Sequence, residues 1–545
     1  MNILLRKIKN APFRLISTYH KVHFVMDGFW KALGEAVRIY RILKNTVMKN
    51  QAIKKIAVIN AARSYSVSDI ELYFAHLLSL NGLIVYVLFD DGVLEHWDST
   101  QFNNLRYYSP YKAKWNIRLR HTIRKKLVGL AYKNSRIHYL NYSSIVKKVK
   151  PDMVIDAKDT SYALSSTKRF FQTGIIDINK EEHSSYYEKS LHNCSVSRAV
   201  AKYTLKYIKP DLYITSHGIY SIWGPAYRII KEKGIPIVLW QVPGTTGGCI
   251  RLIDRQDQML ATTNDWKEFN KSNPIAKNLL QIGANLLESR INLEAYDTRE
   301  YFSDRVNAIN DFKKTNINQK GLALAMFPNV VWDGDTPERN IMFDNVIEWC
   351  EFTINVIKNT KHRLYIRFHP SEVTRLSGTM KLEDILRQRM PGIDTFANVT
   401  LISSDKPLDT YKFARSEIDV GLIYDGTLCL ELTYMGIPVI ACTNGNFTLD
   451  EVVFKPDNKN KYGEWLMKPS GILNKFEQEK DKRYNMALKY SYWLFSASLY
   501  NFKPLLNPYP AKINYKIAAK EGTISSDSGR ISERFLSPIS ESHYH

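Results

Sequence analysis

Three short loops in the later part of the chain carry side chains that could bind a phosphate group. They read MFPNVVWDGD, IRFHPSE and YDGT. An arginine and a histidine beside the start of a helix can hold an anion, because a guanidinium pairs with two oxygens and a first helical turn has spare N–H groups. The residues that this interpretation assigns to nucleotide binding are Asn329, Asp333, Arg367, His369, Pro370, Ser371, Asp425, Gly426 and Thr427.

One carboxylate, Glu431, follows Thr427 by a turn on an otherwise apolar stretch, LCLELTYM. A charged group among leucines is costly to bury unless it has a partner. We therefore expect Glu431 to reach back toward the ligand and to accept hydrogen bonds from ribose hydroxyls. The same stretch could also be an ordinary capped helix with a buried structural acid.

The elements that position these residues are predicted from apolar runs and turn residues. Residues 418–423 form a short apolar run that suits a strand covered on both faces, and a helix is predicted from Thr427 to Tyr434. Gly436 and Pro438 end that helix before a second strand at 439–442, which completes a βαβ unit. In such a unit the turn after the first strand faces the ligand crevice.

Similar alternation extends along the chain and predicts an α/β fold. Strands are expected in KKIAVINAARS, LIVYVLFDDG, DMVIDAKD, DLYITSHG and IPIVLWQ, and then in GLALAMFPN, RLYIRFHPSE and VTLISSD. Amphipathic helices separate them. The predicted architecture is two Rossmann-like, doubly wound domains facing a cleft.

The predicted organisation has six parts, two of them domains. They are a basic amphipathic N-terminal extension (1–53), a first Rossmann-like half (54–285), a polar linker (286–319), a second Rossmann-like half (320–475), a helical segment (476–521) and a disordered polar tail (522–545).

Composition fits a globular protein of a reducing compartment. The 545 residues are 44% hydrophobic and 24% charged, and the five cysteines form no CxxC pair. No apolar run approaches the roughly 20 residues that cross a bilayer, and no signal peptide is evident. The expected location is the cytoplasm.

The net charge of +22 is concentrated, since residues 99–151 contain no acidic residue but many lysines, arginines and tyrosines. Such a stretch suits anionic lipid headgroups, pyrophosphate-linked acceptors or nucleic acid, or it is a solvated basic face. Residues 28–45 have an apolar helical face that could lie in a membrane interface or dock on its own domain. No recognition-helix, RRM or zinc pattern supports nucleic acid as the partner.

The motifs carry a family resemblance. FPNVVWDGD, IEWCEFTI, YIRFHPSEV, DTYKFARSEIDVGLIYDGT and LCLELTYMGIPVIA resemble the donor-binding half of GT-B glycosyltransferases, especially those of bacterial capsule and surface-polysaccharide biosynthesis. SHGIYSIWGPAYRIIKEKGIPIVLWQ is similar to their acceptor side. The resemblance spans about residues 54–470 and implies that His369, Pro370 and Thr427 hold the nucleotide.

It further implies transfer of a sugar from a nucleotide sugar to a growing surface glycan on a lipid-linked acceptor, at the inner face of the cytoplasmic membrane. The nucleotide sugar is a co-substrate, CMP-, UDP- or GDP-linked, and no other cofactor is expected. This chain has Asp-Gly-Thr where many relatives have consecutive hydroxyl residues, which leaves the nucleotide open. Asp333-Gly-Asp335 spells a DxD triplet, but metal-independent transfer is favoured.

A transferase of this kind needs a group that takes the proton of the acceptor hydroxyl. Candidates at strand ends of the first half are Asp90, Asp91, Asp156, Asp159 and His217, and we favour His217, followed by Asp159. Three alternatives remain open: a nucleotide-sugar epimerase, a polyol-phosphate polymerase and a basic nucleic-acid-binding protein.

Overall fold

The structure is a computed structural model that describes most of both predicted halves. The described residues are 55–62, 69–96, 136–243, 248–253, 263–295, 321–333, 339–373, 380–502, 505–507, 512–513 and 525–540. The predicted extension 1–53, the basic residues 99–135 and most of the linker lie outside them.

Strands and helices alternate along the described chain. The strands are β1 (Ile56–Asn60), β2 (Ile84–Phe89), β3 (Ile137–Asn141), β4 (Leu212–Ser216), β5 (Ile237–Gln241), β6 (Cys249–Ile253), β7 (Ala323–Phe327), β8 (Arg363–Arg367), β9 (Val399–Ile402), β10 (Val420–Ile423), β11 (Val439–Ala441), β12 (Leu499–Asn501), β13 (Leu505–Asn507) and β14 (Lys512–Ile513). The helices are α1 (Asp69–Leu80), α2 (Tyr142–Lys148), α3 (Ala157–Phe171), α4 (Glu181–Tyr203), α5 (Tyr220–Glu232), α6 (Thr263–Ser272), α7 (Lys277–Ile291), α8 (Val346–Ile357), α9 (Leu382–Arg389), α10 (Thr410–Glu417), α11 (Leu428–Tyr434), α12 (Lys459–Met467), α13 (Ser470–Tyr492) and α14 (Ser528–Ser540).

The first sheet has the order β12-β6-β5-β4-β1-β2-β3. The five strands from β3 to β5 are parallel, and β6 and β12 add antiparallel pairs at one edge. Every residue of β4 and β5 is buried, as expected for parallel strands covered by helices on both faces. The strand order reverses between β1 and β4, which is the topological switch point of a Rossmann-like domain.

The second sheet repeats this plan with the order β11-β10-β7-β8-β9, all parallel. Its switch point lies between β7 and β10. The predicted fold class, an α/β protein with two doubly wound Rossmann-like domains, is confirmed.

Two helices before the linker pack on the second sheet. Trp266 of α6 and Leu287 of α7 share a core with β7, β10 and α11, and α7 lies along α13. The domain boundary predicted at 285 therefore falls inside α7. The boundary predicted at 475 likewise falls inside α13.

The chain returns to the first sheet after α13. Strand β12 pairs with β6, and helix α14 inserts Ile531, Phe535 and Ile539 into the first core. The Phe535 ring meets Phe74 edge to face at 5.0 Å. The prediction of a disordered tail is wrong for residues 528–540, because apolar residues four apart give this polar stretch one buried face.

The strand predicted in DMVIDAKD is also wrong. The sheet position next to β2 is taken by β3, from the end of the basic interval. Residues 153–155 instead form an exposed loop before α3. No helix among the described residues is both long and apolar enough to cross a bilayer.

Candidate functional site

A cavity of about 170 Å³ opens at the switch point of the second sheet. We call it the switch-point cavity. It is lined by residues that follow β7, β8, β9 and β10, together with the end of α7: Arg290, Leu293, Phe327, Pro328, Asn329, Arg367, Phe368, His369, Pro370, Leu408, Asp409, Thr410, Tyr411, Ile423, Asp425, Gly426, Thr427, Leu428 and Glu431. Seven of the nine residues assigned to nucleotide binding lie in this lining, as does Glu431, whereas Asp333 and Ser371 do not.

The loops that follow β7 and β10 are joined directly. The amide of Asp425 donates to Oδ1 of Asn329 at 3.0 Å. Asp425 is buried and pairs with Nη2 of Arg339 at 3.1 Å. Burial raises the pKa of Asp425, and the Arg339 charge opposes that shift. This aspartate therefore holds the turn in place through Arg339.

Sequence reasoning missed Arg290, the last-turn arginine of α7. Its Nε donates to Oε1 of Glu431 at 2.6 Å, and its Nη2 donates to Oγ1 of Thr427 at 3.1 Å. The guanidinium lies 5.1 Å from the Phe495 ring centre. A cation thus sits at the start of α11, where the sequence indicated only a threonine.

Glu431 is almost fully buried, and both of its oxygens have protein partners. Oε1 accepts from Arg290, and Oε2 accepts from the hydroxyl of Tyr411 at 3.0 Å. As expected for a buried carboxylate, Glu431 has hydrogen-bonding partners. The structure, however, supplies these partners from the protein, so that Glu431 orients Arg290.

Arg367 lines the cavity, but its guanidinium donates hydrogen bonds to main-chain carbonyl oxygens. It donates to the carbonyl oxygens of Ser403 and Lys406, the latter at 3.0 Å. The side chain is nearly buried. Its contacts shape the loop between β9 and α10 and differ from the phosphate contact predicted for it.

His369 caps a short 3-10 turn, Pro370–Glu372, at the end of β8. Its Nδ1 accepts from the amide of Ser371 at 3.1 Å. In the neutral ring the proton is consequently on Nε2, which is then a donor. Ser371 contributes its amide to this cap and lies behind the cavity lining.

Asp333 lies where the two halves meet. Its Oδ1 accepts from Nη1 of Arg169 at 3.0 Å and from the Tyr220 hydroxyl at 3.0 Å. Its main-chain oxygen accepts from Arg339 at 3.3 Å. Asp335 of the DxD triplet lies outside the described residues. Among those that are described, no group of three or more His, Cys, Asp or Glu side chains could hold a metal ion.

His217 follows β4 at the switch point of the first sheet. Its backbone is left-handed, with φ 54°, and Tyr220 has φ 68°. Such a conformation costs a residue with a Cβ roughly 1–2 kcal/mol and is commonly found at functional sites. Nδ1 contacts the Ser216 hydroxyl, and the ring stacks on Trp223 at 4.9 Å.

Asp159, the second candidate base, is fully buried between helices. It pairs with Arg198 and, at 3.5 Å, with Arg228. Burial raises the pKa of Asp159, against the Arg198 charge. These ion pairs inside the protein favour a structural role for Asp159, and its catalytic role stays a prediction.

The other candidate bases are also held by protein groups. Asp156 caps α3 and pairs with Arg228 at 2.7 Å. Asp91 accepts from the amide and hydroxyl of Ser143 at 2.9 and 2.6 Å. Asp90 accepts from three successive amides, and burial raises its pKa to about 6. The Asp156 side chain is 46% exposed, but its carboxylate is engaged by Arg228 and by the start of α3. His217 is partly exposed as well, and we keep it as the favoured candidate.

Comparison with known proteins finds structural likeness at low identity. The chain matches no protein-family model and no curated protein. Matched structures include the β-Kdo 2,4-transferase KpsC of Thermosulfurimonas dismutans, at 13% identity and TM-score 0.35 over 56% of this chain and 84% of that one. UDP-GlcNAc 2-epimerase of Neisseria meningitidis, bound to UDP-GlcNAc, matches at 11% identity and TM-score 0.24, over 82% of this chain and 99% of that one. The glycosyltransferase SnogD of Streptomyces nogalater matches at 9% identity and TM-score 0.21, over 82% of this chain and 100% of that one.

Two of these three structures are described as transferases, and the third as an epimerase.

Proposed function

We propose that this chain is a GT-B-type glycosyltransferase that moves a sugar from a nucleotide sugar to a growing bacterial surface polysaccharide on a lipid-linked acceptor. The observation that carries the proposal is the switch-point cavity, where a cation, a helix start and apolar walls converge at the carboxyl ends of parallel strands. This is the place at which open α/β sheets bind their ligands.

The nucleotide phosphate would lie beside Thr427, between the first turn of α11 and Arg290. Arg290 is held in one orientation by Glu431, so little side-chain freedom is lost on binding. The base would lie against the apolar side of the cavity, which Phe368, Leu408 and Tyr411 line. His369 would donate from Nε2.

In the transfer step the acceptor hydroxyl oxygen bonds to the anomeric carbon, and the bond from that carbon to the phosphate oxygen breaks. The nucleotide leaves as an anion, which Arg290 would stabilise. The hydroxyl proton would pass to Nε2 of His217. That role requires the tautomer in which Nδ1–H donates to Ser216 Oγ.

A thermal-shift panel tests the binding step. CMP, UDP and GDP, with and without a sugar, are added to the wild type and to Arg290→Gln. Bound ligand raises the apparent melting temperature by mass action. We expect one nucleotide series to stabilise the wild type and to lose most of its effect in the variant, whereas no response to any nucleotide would contradict the proposal.

An acceptor-dependence assay separates the alternatives. Turnover of the nucleotide sugar only when a lipid-linked glycan is added supports transfer. Isomerisation of the donor without an acceptor supports an epimerase, and growth of a polyol-phosphate chain supports a polymerase. Tight, salt-sensitive nucleic-acid binding without nucleotide binding would support the nucleic-acid alternative.

A further inference from the structure

The 153–155 loop exposes three consecutive large apolar residues. Met153, Val154 and Ile155 are 60%, 76% and 43% exposed. Single exposed apolar residues are ordinary, but contiguous ones mark an interaction surface.

Ion pairs hold both ends of this loop. On one side, Asp152 pairs with Arg198 at 2.6 Å and with Lys202 at 2.5 Å. On the other side, Asp156 pairs with Arg228 and caps α3. These ion pairs therefore fix the loop with its apolar side chains facing outward. Exposing apolar side chains to water is unfavourable in free energy.

The surface around the loop is basic. Exposed lysines come from the end of α2 and the residues after it, from the start of α3, from the end of α4 and from the turn that follows α4: Lys147, Lys148, Lys150, Lys158, Lys202, Lys206 and Lys209. Lys148 lies 5.8 Å from the centre of the Tyr207 ring, and Tyr207 is 49% exposed. The two acids that flank the loop, Asp152 and Asp156, are already paired with cations.

We propose that the 153–155 loop inserts into an anionic lipid surface while the surrounding lysines bind the headgroups. Exposed apolar side chains in a basic surface, with an exposed tyrosine beside two of its lysines, suit the boundary between acyl chains and anionic headgroups. The chemistry of this surface carries the inference, which does not depend on the proposed transfer reaction.

The position of the loop suits an enzyme whose acceptor is anchored in lipid. Helix α3 begins just after the loop and carries Arg169, near its other end, to the contact with Asp333. A helix of this length spans about 22 Å at 1.5 Å per residue. The lipid surface would thus lie about one helix length from the contact between the halves.

Vesicle flotation of the full chain tests the loop. Phosphatidylcholine vesicles with and without phosphatidylglycerol are used, and the variant combines Met153→Ser, Val154→Ser and Ile155→Ser. We expect wild-type binding to the anionic vesicles, weakened about tenfold or more in the variant. A matched control replaces three comparably exposed apolar residues elsewhere, Ile178, Ile275 and Met467, and should bind as the wild type does.

A second variant tests the charges. It combines Lys147→Glu, Lys148→Glu and Lys206→Glu, and its control reverses the exposed Lys267, Lys271 and Lys277. Each basic residue near an anionic surface contributes about fivefold, or about 1 kcal/mol, so the first set should lose most of its binding. All variants are checked for an unchanged melting temperature.

Three outcomes would overturn the proposal. The first is a wild type without affinity for the anionic vesicles, and the second is a serine variant that floats as well as the wild type. A serine variant that changes the sedimentation coefficient of the chain instead would assign the loop to a contact between copies. Nucleotide binding, measured in parallel, distinguishes any of these results from a failure of the proposed reaction.

Discussion

Replacing Glu431 by Gln separates two roles that this residue could have. The sequence suggests a direct contact with the ribose, whereas the structure engages both carboxylate oxygens with Arg290 and Tyr411. Glutamine keeps the shape and one acceptor oxygen, but it removes the charge. The substitution thus changes the partner of Arg290 with little change in packing.

The magnitude follows from burial. Arg290 is 5% exposed and Glu431 is 1% exposed, so little water can replace the lost charge. Removing one partner of a buried ion pair costs about 3–5 kcal/mol, and the retained acceptor lowers this to about 2–3 kcal/mol. If Arg290 loses its orientation, nucleotide affinity should fall by about 10- to 100-fold, the value of one charge-assisted hydrogen bond.

The assay is calorimetric titration of the preferred nucleotide into wild type, Glu431→Gln, Arg290→Gln and the double variant. Residues in contact give a non-additive cycle. Two further ligands identify the route: the analogue that lacks both ribose hydroxyls, and the nucleoside that lacks the phosphate. We expect Glu431→Gln to weaken binding of the analogue as much as that of the nucleotide, and to leave the nucleoside nearly unaffected. Glu464→Gln, an exposed substitution on α12, is the control.

Two results would refute the reasoning. A loss that disappears with the analogue would restore the direct ribose contact. Strictly additive single effects, within about 0.5 kcal/mol, would mean that Glu431 does not act through Arg290.

Three further predictions concern His217, Asp159 and Glu372. His217→Ala should reduce turnover about 100-fold or more with nucleotide affinity unchanged, and near-normal turnover would remove it from the reaction. Asp159→Asn should lower the free energy of unfolding by about 1.5–3 kcal/mol, because Arg198 and Arg228 each lose one carboxylate partner but keep Asp152 and Asp156, while the folded enzyme keeps its turnover. Burial raises the pKa of Glu372 from 4.5 to about 8. Between these two pKa values the native state keeps a proton that the unfolded chain releases. The free energy of unfolding therefore falls as the pH rises from 4.5 to about 8. In urea melts between pH 4.5 and about 8, Glu372→Gln should make the free energy of unfolding less dependent on pH. The same pH dependence in the variant and the wild type would contradict this prediction.

The arrangement of the two sheets could be predicted because each βαβ unit carries a local pattern. Apolar runs, glycine stops and capping residues recur in order, and a right-handed crossover leaves few ways to connect them. A strand was predicted at residues 152–156 because MVI is apolar, but this segment is a loop in the structure. Whether an apolar run becomes a strand depends on an open sheet edge, which β3 occupies.

The candidate site was predictable where the residues follow their own strands. Asn329, His369 and Thr427 all lie at strand ends, and parallel strands bring such ends together. Arg290 lies in a helix placed before the linker, and no local periodicity relates it to α11. Glu431 indicated that a buried partner was needed, but only the packing of α7 on the second sheet shows which residue that is.

Arg367 and Asp333 show why residue type at a strand end does not fix a role. Loop carbonyls need donors as much as a phosphate does, and Arg367 satisfies two of them. Asp333 meets the first half through its carboxylate and meets Arg339 through its main-chain oxygen at 3.3 Å. Arg339 in turn holds Asp425, in the lining of the switch-point cavity, at 3.1 Å. Arg339 therefore links the contact between the two halves at Asp333 to the lining of the switch-point cavity.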